Sequence, residues 1–181
     1  MKSKLTITEA LQELKTLDKR IDSTREFILK YGVRQGSTID PLDDEGGAHV
    51  VIPQRMQSLR DLFARKVSVR SAINQKNADT LLTLANKSMT IAEWIVWRRD
   101  VFQKEVDAFR ALQRQVIEAR RQCIEKGMTI KDDGTQPSRV QEIACFIPES
   151  KIQKEIESLQ EIESTLDGKL SMINATTTVE V

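Results

Sequence analysis

The sequence predicts an all-α protein, an antiparallel bundle of four long helices with a small protruding β-hairpin. Apolar residues recur every seven positions on separate stretches, which is the spacing of a helix that packs against another helix. Charged residues make up 30% of the chain and aromatic residues only 4%, a balance typical of exposed helical surfaces. The first stretch contains Ile7, Leu14, Ile21 and Ile28, and the last contains Ile152, Leu159, Leu166 and Ile173.

The first helix is predicted over residues 6–31. Thr6 and Glu9 have the spacing of a capping box, in which each residue satisfies a backbone N–H group of the other. Gly32 supplies a stop signal at the other end. The apolar stripe between these signals predicts one face of the helix to be buried.

A long polar connection follows over residues 33–52, and the sequence leaves it either mobile or docked on other residues. Pro53 suits a first helical turn and predicts a second helix over residues 53–78. The connection carries clustered acidic residues, but their spacing is not that of a calcium loop, so a solvated loop is favoured over a metal site. These residues are Asp40, Asp43, Asp44 and Glu45, followed by the single histidine, His49.

A second capping box, Thr90 with Glu93, predicts the longest helix over residues 90–126, which Gly127 ends. Residues 1–127 are therefore expected to form a helical core. A fourth helix, over residues 148–173, is expected to pack on that core.

Residues 128–147 are predicted to form a β-hairpin inserted between the last two helices. The turn-forming run Asp132-Asp133-Gly134 lies between two β-prone segments there. The threonine-rich tail, residues 174–181, has no partner within reach in sequence. It is expected either to fray or to add a strand to a neighbouring molecule.

Two of the predicted helices begin alike, because Leu5–Glu9 reads LTITE and Met89–Glu93 reads MTIAE. One interpretation is a duplicated helical hairpin. The other is that two helices use the same common cap independently, and this second interpretation is favoured because capping boxes are frequent.

Two polar clusters interrupt the apolar stripes. Buried polar side chains must find partners, so the clusters are expected to face each other as a polar layer that fixes helix register. The alternative is a pocket in which arginines pair the phosphates of an anionic molecule. The clusters are Arg70, Asn74 and Asn77 in the second helix and Arg98, Arg99 and Asp100 in the third.

Trp94 and Trp97 are three residues apart. One is expected to pack in the core and the other to mark a contact surface. Cys123 and Cys145 are too few for a disulfide framework and indicate a reducing compartment. The formal net charge of +1 argues against a nucleic-acid partner. There is no apolar signal-peptide core and no apolar run long enough to span a membrane, so synthesis in the cytoplasm is expected.

Several short motifs are shared with other proteins. They are Thr6–Leu11 with Leu14, Leu17, Arg20 and Ile21, then Ile73–Asn77 with Thr80, Thr90–Ala92 and Arg99–Val101. These motifs resemble a loosely defined family of small helical bacterial and phage proteins, one branch of which is labelled septicolysin. The similarity covers about the first two thirds of the chain and leaves out residues 128–181. It implies a helical, oligomeric protein encoded by a phage, and it carries no catalytic residues.

No catalytic motif, cofactor signature or metal-ligand spacing is visible, so the chain is not expected to be an enzyme. We expect a structural or assembly protein, such as a component of a phage virion, which associates with itself and grips other structural proteins with its loops and tail. The alternative is an anti-host binding protein that sequesters a small anionic, nucleotide-like molecule.

Overall fold

The structure is a computed structural model that describes residues 4–36 and 39–181, and it is mainly α-helical, as the sequence predicts. The chain forms two compact units: unit 1 comprises Met1–Asn77 and Ser171–Val181, and unit 2 comprises Ala78–Leu170. The helices are α1 (Ile7–Tyr31), α2 (Ala48–Asp79), α3 (Ile91–Val96), α4 (Phe102–Lys126) and α5 (Glu149–Thr176). The strands are β1 (Lys4–Thr6), β2 (Leu81–Leu84), β3 (Lys87–Thr90), β4 (Thr129–Lys131), β5 (Glu142–Ala144) and β6 (Thr178–Glu180).

Unit 1 is built around the apolar stripe of α1. The capping box predicted at its start is present, since the Glu9 N–H group donates to Thr6 Oγ1 at 3.1 Å and the Thr6 N–H group donates to Glu9 Oε2 at 2.7 Å. The buried core contains Ile7, Ala10, Leu14, Leu17 and Ile21 from α1, Leu62, Val69 and Ile73 from α2, and Val179 from β6.

The second helix begins at Ala48 rather than at Pro53, so the predicted boundary is wrong. The carboxylate of Asp40 accepts hydrogen bonds from the Leu42 N–H group at 3.0 Å and from the Ala48 N–H group at 2.9 Å. The Asp40 side chain therefore satisfies a backbone N–H group at the helix start, and the helix begins five residues before Pro53. The loop predicted over residues 33–52 is therefore shorter; Ser37 and Thr38 within it lie outside the described residues.

Unit 2 begins with an antiparallel hairpin of β2 and β3, in a segment where the sequence suggests only a short extended excursion. Its two-residue turn, Ala85 and Asn86, has positive φ at both positions, 42° and 66°. That geometry is the one that matches the right-handed twist of paired strands.

The hairpin predicted over residues 128–147 is wrong, because β4 and β5 pair in parallel. The connecting segment carries the chain back to the start of the pair instead of reversing it. The aspartates of the predicted turn instead accept hydrogen bonds from backbone N–H groups. Asp133 Oδ1 accepts from the Thr135 N–H group at 2.9 Å, and Asp132 Oδ1 accepts from the Glu149 N–H group, at the start of α5, at 3.2 Å.

The long third helix is interrupted by one π-helical turn over Trp97–Val101, where the Phe102 N–H group donates to the Trp97 carbonyl. A π turn inserts one residue and rotates the faces of the helix on either side of it. Trp94 before the turn, Trp97 at its first position and Val106 after it are all buried. A separate buried cluster packs α4 against α5 and contains Val116, Cys145, Ile152 and Ile156.

The tail is not free, which corrects the expectation that it frays or joins a neighbouring molecule. β6 pairs antiparallel with β1, with Leu5 opposite Val179. Val179 is 4% exposed and belongs to the core of unit 1. The two strands are 172 positions apart, from Thr6 to Thr178, so no local pattern could join them.

The two alike helix starts share more than their caps. In each unit a paired strand leads into a threonine N-cap with φ near −66° and ψ of 158°, and the next residue is a buried isoleucine. The N–H group of Ile7 donates to the Thr177 carbonyl, and that of Ile91 to the Thr80 carbonyl, both at 2.9 Å. The same strand–strand–helix junction is thus built twice, which favours the duplication interpretation.

Candidate interaction surface

The helix α2 has a second face, which is partly exposed to solvent. Phe63 and Val67 are 48% and 68% exposed, and Met56 is 37% exposed. Three residues of this face directly follow a buried residue. Phe63 follows Leu62, Arg70 follows Val69, and Asn74 follows Ile73. One step along a helix turns it by 100°, so these residues form a stripe beside the core stripe. We call the set the α2 outer face: Met56, Phe63, Val67, Arg70 and Asn74.

The structure places two predicted polar residues on this face. Arg70 and Asn74 are exposed, so the expected buried polar layer inside one chain is wrong for them. Asn77 is half-buried, and its Oδ1 atom is shielded from solvent with no hydrogen-bond partner among the described residues. A shielded acceptor of this kind is costly unless something else supplies a donor.

The second polar cluster lies in unit 2 and is also exposed, so the two clusters form no common buried layer. Arg98 lies in the π turn and forms a bidentate pair with Asp167 on α5, with Nη2 to Oδ2 at 2.9 Å. This hydrogen bond raises the pKa of Arg98. Arg99 pairs with its neighbour Asp100 at 2.8 Å and 2.7 Å. Both arginines therefore have carboxylate partners already.

Both tryptophans are buried, which corrects the expectation that one of them marks a contact surface. Trp94 is fully buried and donates from Nε1 to the Leu82 carbonyl at 2.8 Å. Trp97 is 7% exposed and donates to Glu105 Oε2 at 3.0 Å. The two rings meet edge to face at a centroid distance of 5.4 Å, so they belong to the packing of unit 2.

Unit 2 has an apolar groove of about 340 Å³ between α4 and β5. Phe146 stands at its edge and is 60% exposed. Cys145 lies beneath, where burial raises the pKa of its thiol, so the sulfur stays protonated at neutral pH and is a poor nucleophile. The groove is suited to apolar contact and offers no activated group. It is lined by Leu112, Val116, Ala119, Ile143 and Phe146, among others.

In the acidic loop, the Asp40 carboxylate accepts hydrogen bonds from two backbone N–H groups. Hydrogen bonds from the Ala48 and Leu42 N–H groups lower the pKa of Asp40. Within residues 4–36 and 39–181, no three histidine, cysteine or carboxylate side chains are placed to share a metal ion. In the same part of the chain, no helix combines the length and apolar character needed to cross a membrane.

Comparison with known proteins gives a likeness of fold. No family model matches the chain, and no curated protein matches it. A solved structure described as a functionally unknown conserved protein from Corynebacterium diphtheriae is similar, with a TM-score of 0.54 and 17% sequence identity. The match covers 98% of this chain and 99% of that one. At this identity the likeness shows a shared mainly helical fold.

Proposed function

We propose that the protein is a non-enzymatic structural or assembly protein that associates with a second copy of itself through the α2 outer face. The observation that carries the proposal is the exposed apolar stripe of Met56, Phe63 and Val67. An apolar stripe at helix spacing is stabilised when another helix covers it. A second copy supplies the same stripe by symmetry.

The charges on this face favour one orientation. In a parallel pair, Arg70 would lie opposite its own copy, and like charges in contact are unfavourable. In an antiparallel pair centred on Phe63, Arg70 lies opposite Met56, because both are seven residues from the centre. In that pair each Arg70 is separated from its own copy and lies at the end of the apolar stripe, so the like charges do not meet.

Light scattering tests the association. We expect a mass well above 20.6 kDa at micromolar concentration. The double variant Phe63→Ser/Val67→Ser should return to the mass of one chain. Ile124→Ser removes an 85% exposed isoleucine from α4 and serves as the matched control. A single-chain mass for the natural sequence, or equal loss of mass in the control, contradicts the proposal.

Cysteine cross-linking tests the orientation. Phe63→Cys should form a disulfide between copies, since it lies on the proposed two-fold axis. A mixture of Met56→Cys and Arg70→Cys chains should cross-link with each other more than either does alone. Ser68→Cys, exposed on another side of α2, should not cross-link. Efficient self-cross-linking by Arg70→Cys alone would instead indicate a parallel pair.

The assignment to a phage virion rests on the sequence resemblance alone, as does the septicolysin-like family. The arrangement of the four long helices as one antiparallel bundle is likewise part of the proposal, and so is a role for the loop in contacts with other structural proteins. Since the tail completes unit 1 by pairing with β1, it is not offered as a gripping element.

The second candidate function is sequestration of a small anionic, nucleotide-like molecule. The arginines expected to bind it are not gathered in a pocket: Arg98 and Arg99 are paired with carboxylates, and Arg70 is exposed on the α2 outer face. A different group of cations in unit 1 supports it better, and its geometry is described below. Thermal melts with a panel of nucleotides test this function directly, because a ligand that binds the folded state raises its melting temperature.

A further inference from the structure

A polar groove of about 350 Å³ runs between α1 and α2 in unit 1, away from the α2 outer face. Lys19 and Arg20 come from α1, and Arg55 comes from α2. The groove contains no acidic lining residue. Three positive side chains therefore converge on one depression that offers them no counter-charge.

These cations are also without acidic partners elsewhere. No carboxylate lies within ion-pair distance of Lys19, Arg20 or Arg55 among the described residues, although other basic residues of α2 are paired. Arg65, for example, lies 2.7 Å from Glu13, which stands one turn before the groove on α1. That pair occupies the carboxylate that could otherwise have neutralised the groove.

The groove also contains hydroxyl groups and an arginine whose guanidinium packs over an aromatic ring. Ser23 and Ser58 line it, and neither hydroxyl has a hydrogen-bond partner among the described residues. The guanidinium of Arg55 stands 5.0 Å from the centre of the Phe27 ring, which restricts its motion at the edge of the groove. Guanidinium groups with nearby hydroxyl donors are the chemistry that recognises phosphate oxygens.

We propose that this groove binds the phosphate groups of a small phosphorylated molecule, with Arg20 and Arg55 as the principal contacts. Its volume falls at the lower end of the range for small-molecule sites. The inference rests on the second candidate function for the class of ligand and adds the site. It is independent of self-association, because none of these residues belongs to the α2 outer face.

Calorimetric titration with inorganic pyrophosphate and with ADP tests the site. At low salt we expect binding with a Kd of about 1 mM or tighter. The variant Arg20→Gln/Arg55→Gln should weaken binding about tenfold, since it removes the two guanidinium contacts. The control Lys15→Gln/Arg25→Gln removes two exposed charges from α1 outside the groove and should change Kd less than about twofold. Far-ultraviolet circular dichroism confirms that each variant is folded.

The outcomes separate the site from the function. If the natural protein binds neither probe, the proposed site is wrong, and the thermal melts with the nucleotide panel decide the second candidate function separately. If binding survives in Arg20→Gln/Arg55→Gln, or falls equally in the control, the groove is not the site, although sequestration elsewhere still stands. A short single-stranded DNA that binds more tightly than ADP, with the same loss in the variant, would replace the small-molecule assignment by a nucleic-acid one.

Discussion

At the scale of single residues, buried hydrogen bonds from side chains hold the start of unit 2 together. Trp94 joins α3 to β2 through its bond to the Leu82 carbonyl. This hydrogen bond is buried, so a bond to water does not readily replace it when it is lost. The heptad pattern identified the Trp94 region as packed, but it could not show that the indole N–H group would bind a strand twelve residues earlier.

Trp94→Phe is expected to lower the free energy of unfolding by about 1–3 kcal/mol, because it removes a buried hydrogen bond to the Leu82 carbonyl together with part of a fully buried ring. Trp97→Phe should cost less, since its partner Glu105 is half-buried and can be reached by water. Urea unfolding followed by circular dichroism measures both. An equal loss in the two variants would show that ring volume, not the hydrogen bond, determines the cost.

Glu9 makes the start of α1 sensitive to acid. Its pKa is lowered from 4.5 by the hydrogen bond from the Thr6 N–H group and then by the Thr6 hydroxyl. A lowered pKa in the folded state contributes stability that is present above 4.5 and is lost as pH falls through the folded value. Unfolding followed between neutral pH and pH 3 should therefore show a decline that is shallower in Glu9→Gln, whose amide keeps the cap without titrating. An unchanged slope in Glu9→Gln would remove Glu9 from the account.

At the scale of elements, the caps that depend on neighbouring residues were predicted correctly. The features that depend on distant residues were not predicted. The caps at Thr6 and Thr90 depend on residues three positions away, and both are present. The start of α2 depends on Asp40, eight residues before Ala48, and the β4–β5 pairing depends on the path of the chain between them. A sequence pattern carries no distance information of that kind.

Val179→Ala is expected to destabilise unit 1 by about 2 kcal/mol, because the side chain is 4% exposed and packs in the core. Deletion of residues 175–181 should cost more, since β1 would also lose its partner strand. Glu180→Ala, on the exposed side of β6, is the control and should be near neutral. Thermal unfolding measures all three, and a neutral Val179→Ala would mean that β6 detaches in solution.

At the scale of the whole molecule, the candidate site was predicted only in part. Arg70 and Asn74 were singled out by their position beside an apolar stripe, and they do lie beside one, but on the exposed face rather than in the core. The sequence could not decide between the faces, because Met56 and Phe63 continue both stripes at helix spacing. The groove of Lys19, Arg20 and Arg55 joins two helices and has no signature within either one.

Arg70→Ala separates the stability of one chain from association between chains. Because Arg70 is exposed, the substitution should change the free energy of unfolding of the single chain by less than about 0.5 kcal/mol. In the antiparallel pair Arg70 faces Met56 rather than its own copy, so association should change little at either salt concentration. In a parallel pair it would become tighter at low salt, because two like charges in contact would be removed. Sedimentation velocity at low and high salt measures this. A clear tightening at low salt that disappears at high salt would therefore contradict the antiparallel pair.

The repeated strand junction has a consequence for the order of the chain itself. One junction runs through the covalent turn at Ala85 and Asn86, whereas the other is held only by the pairing of β1 with β6. A chain in which a turn joins β6 to β1, and in which β2 and β3 are no longer joined, should therefore still fold. A circular permutant that joins Val181 to Lys4 through a short Asn-Gly turn and opens the chain between Ala85 and Asn86 is expected to fold to the same structure, with its ends now at the β2–β3 edge.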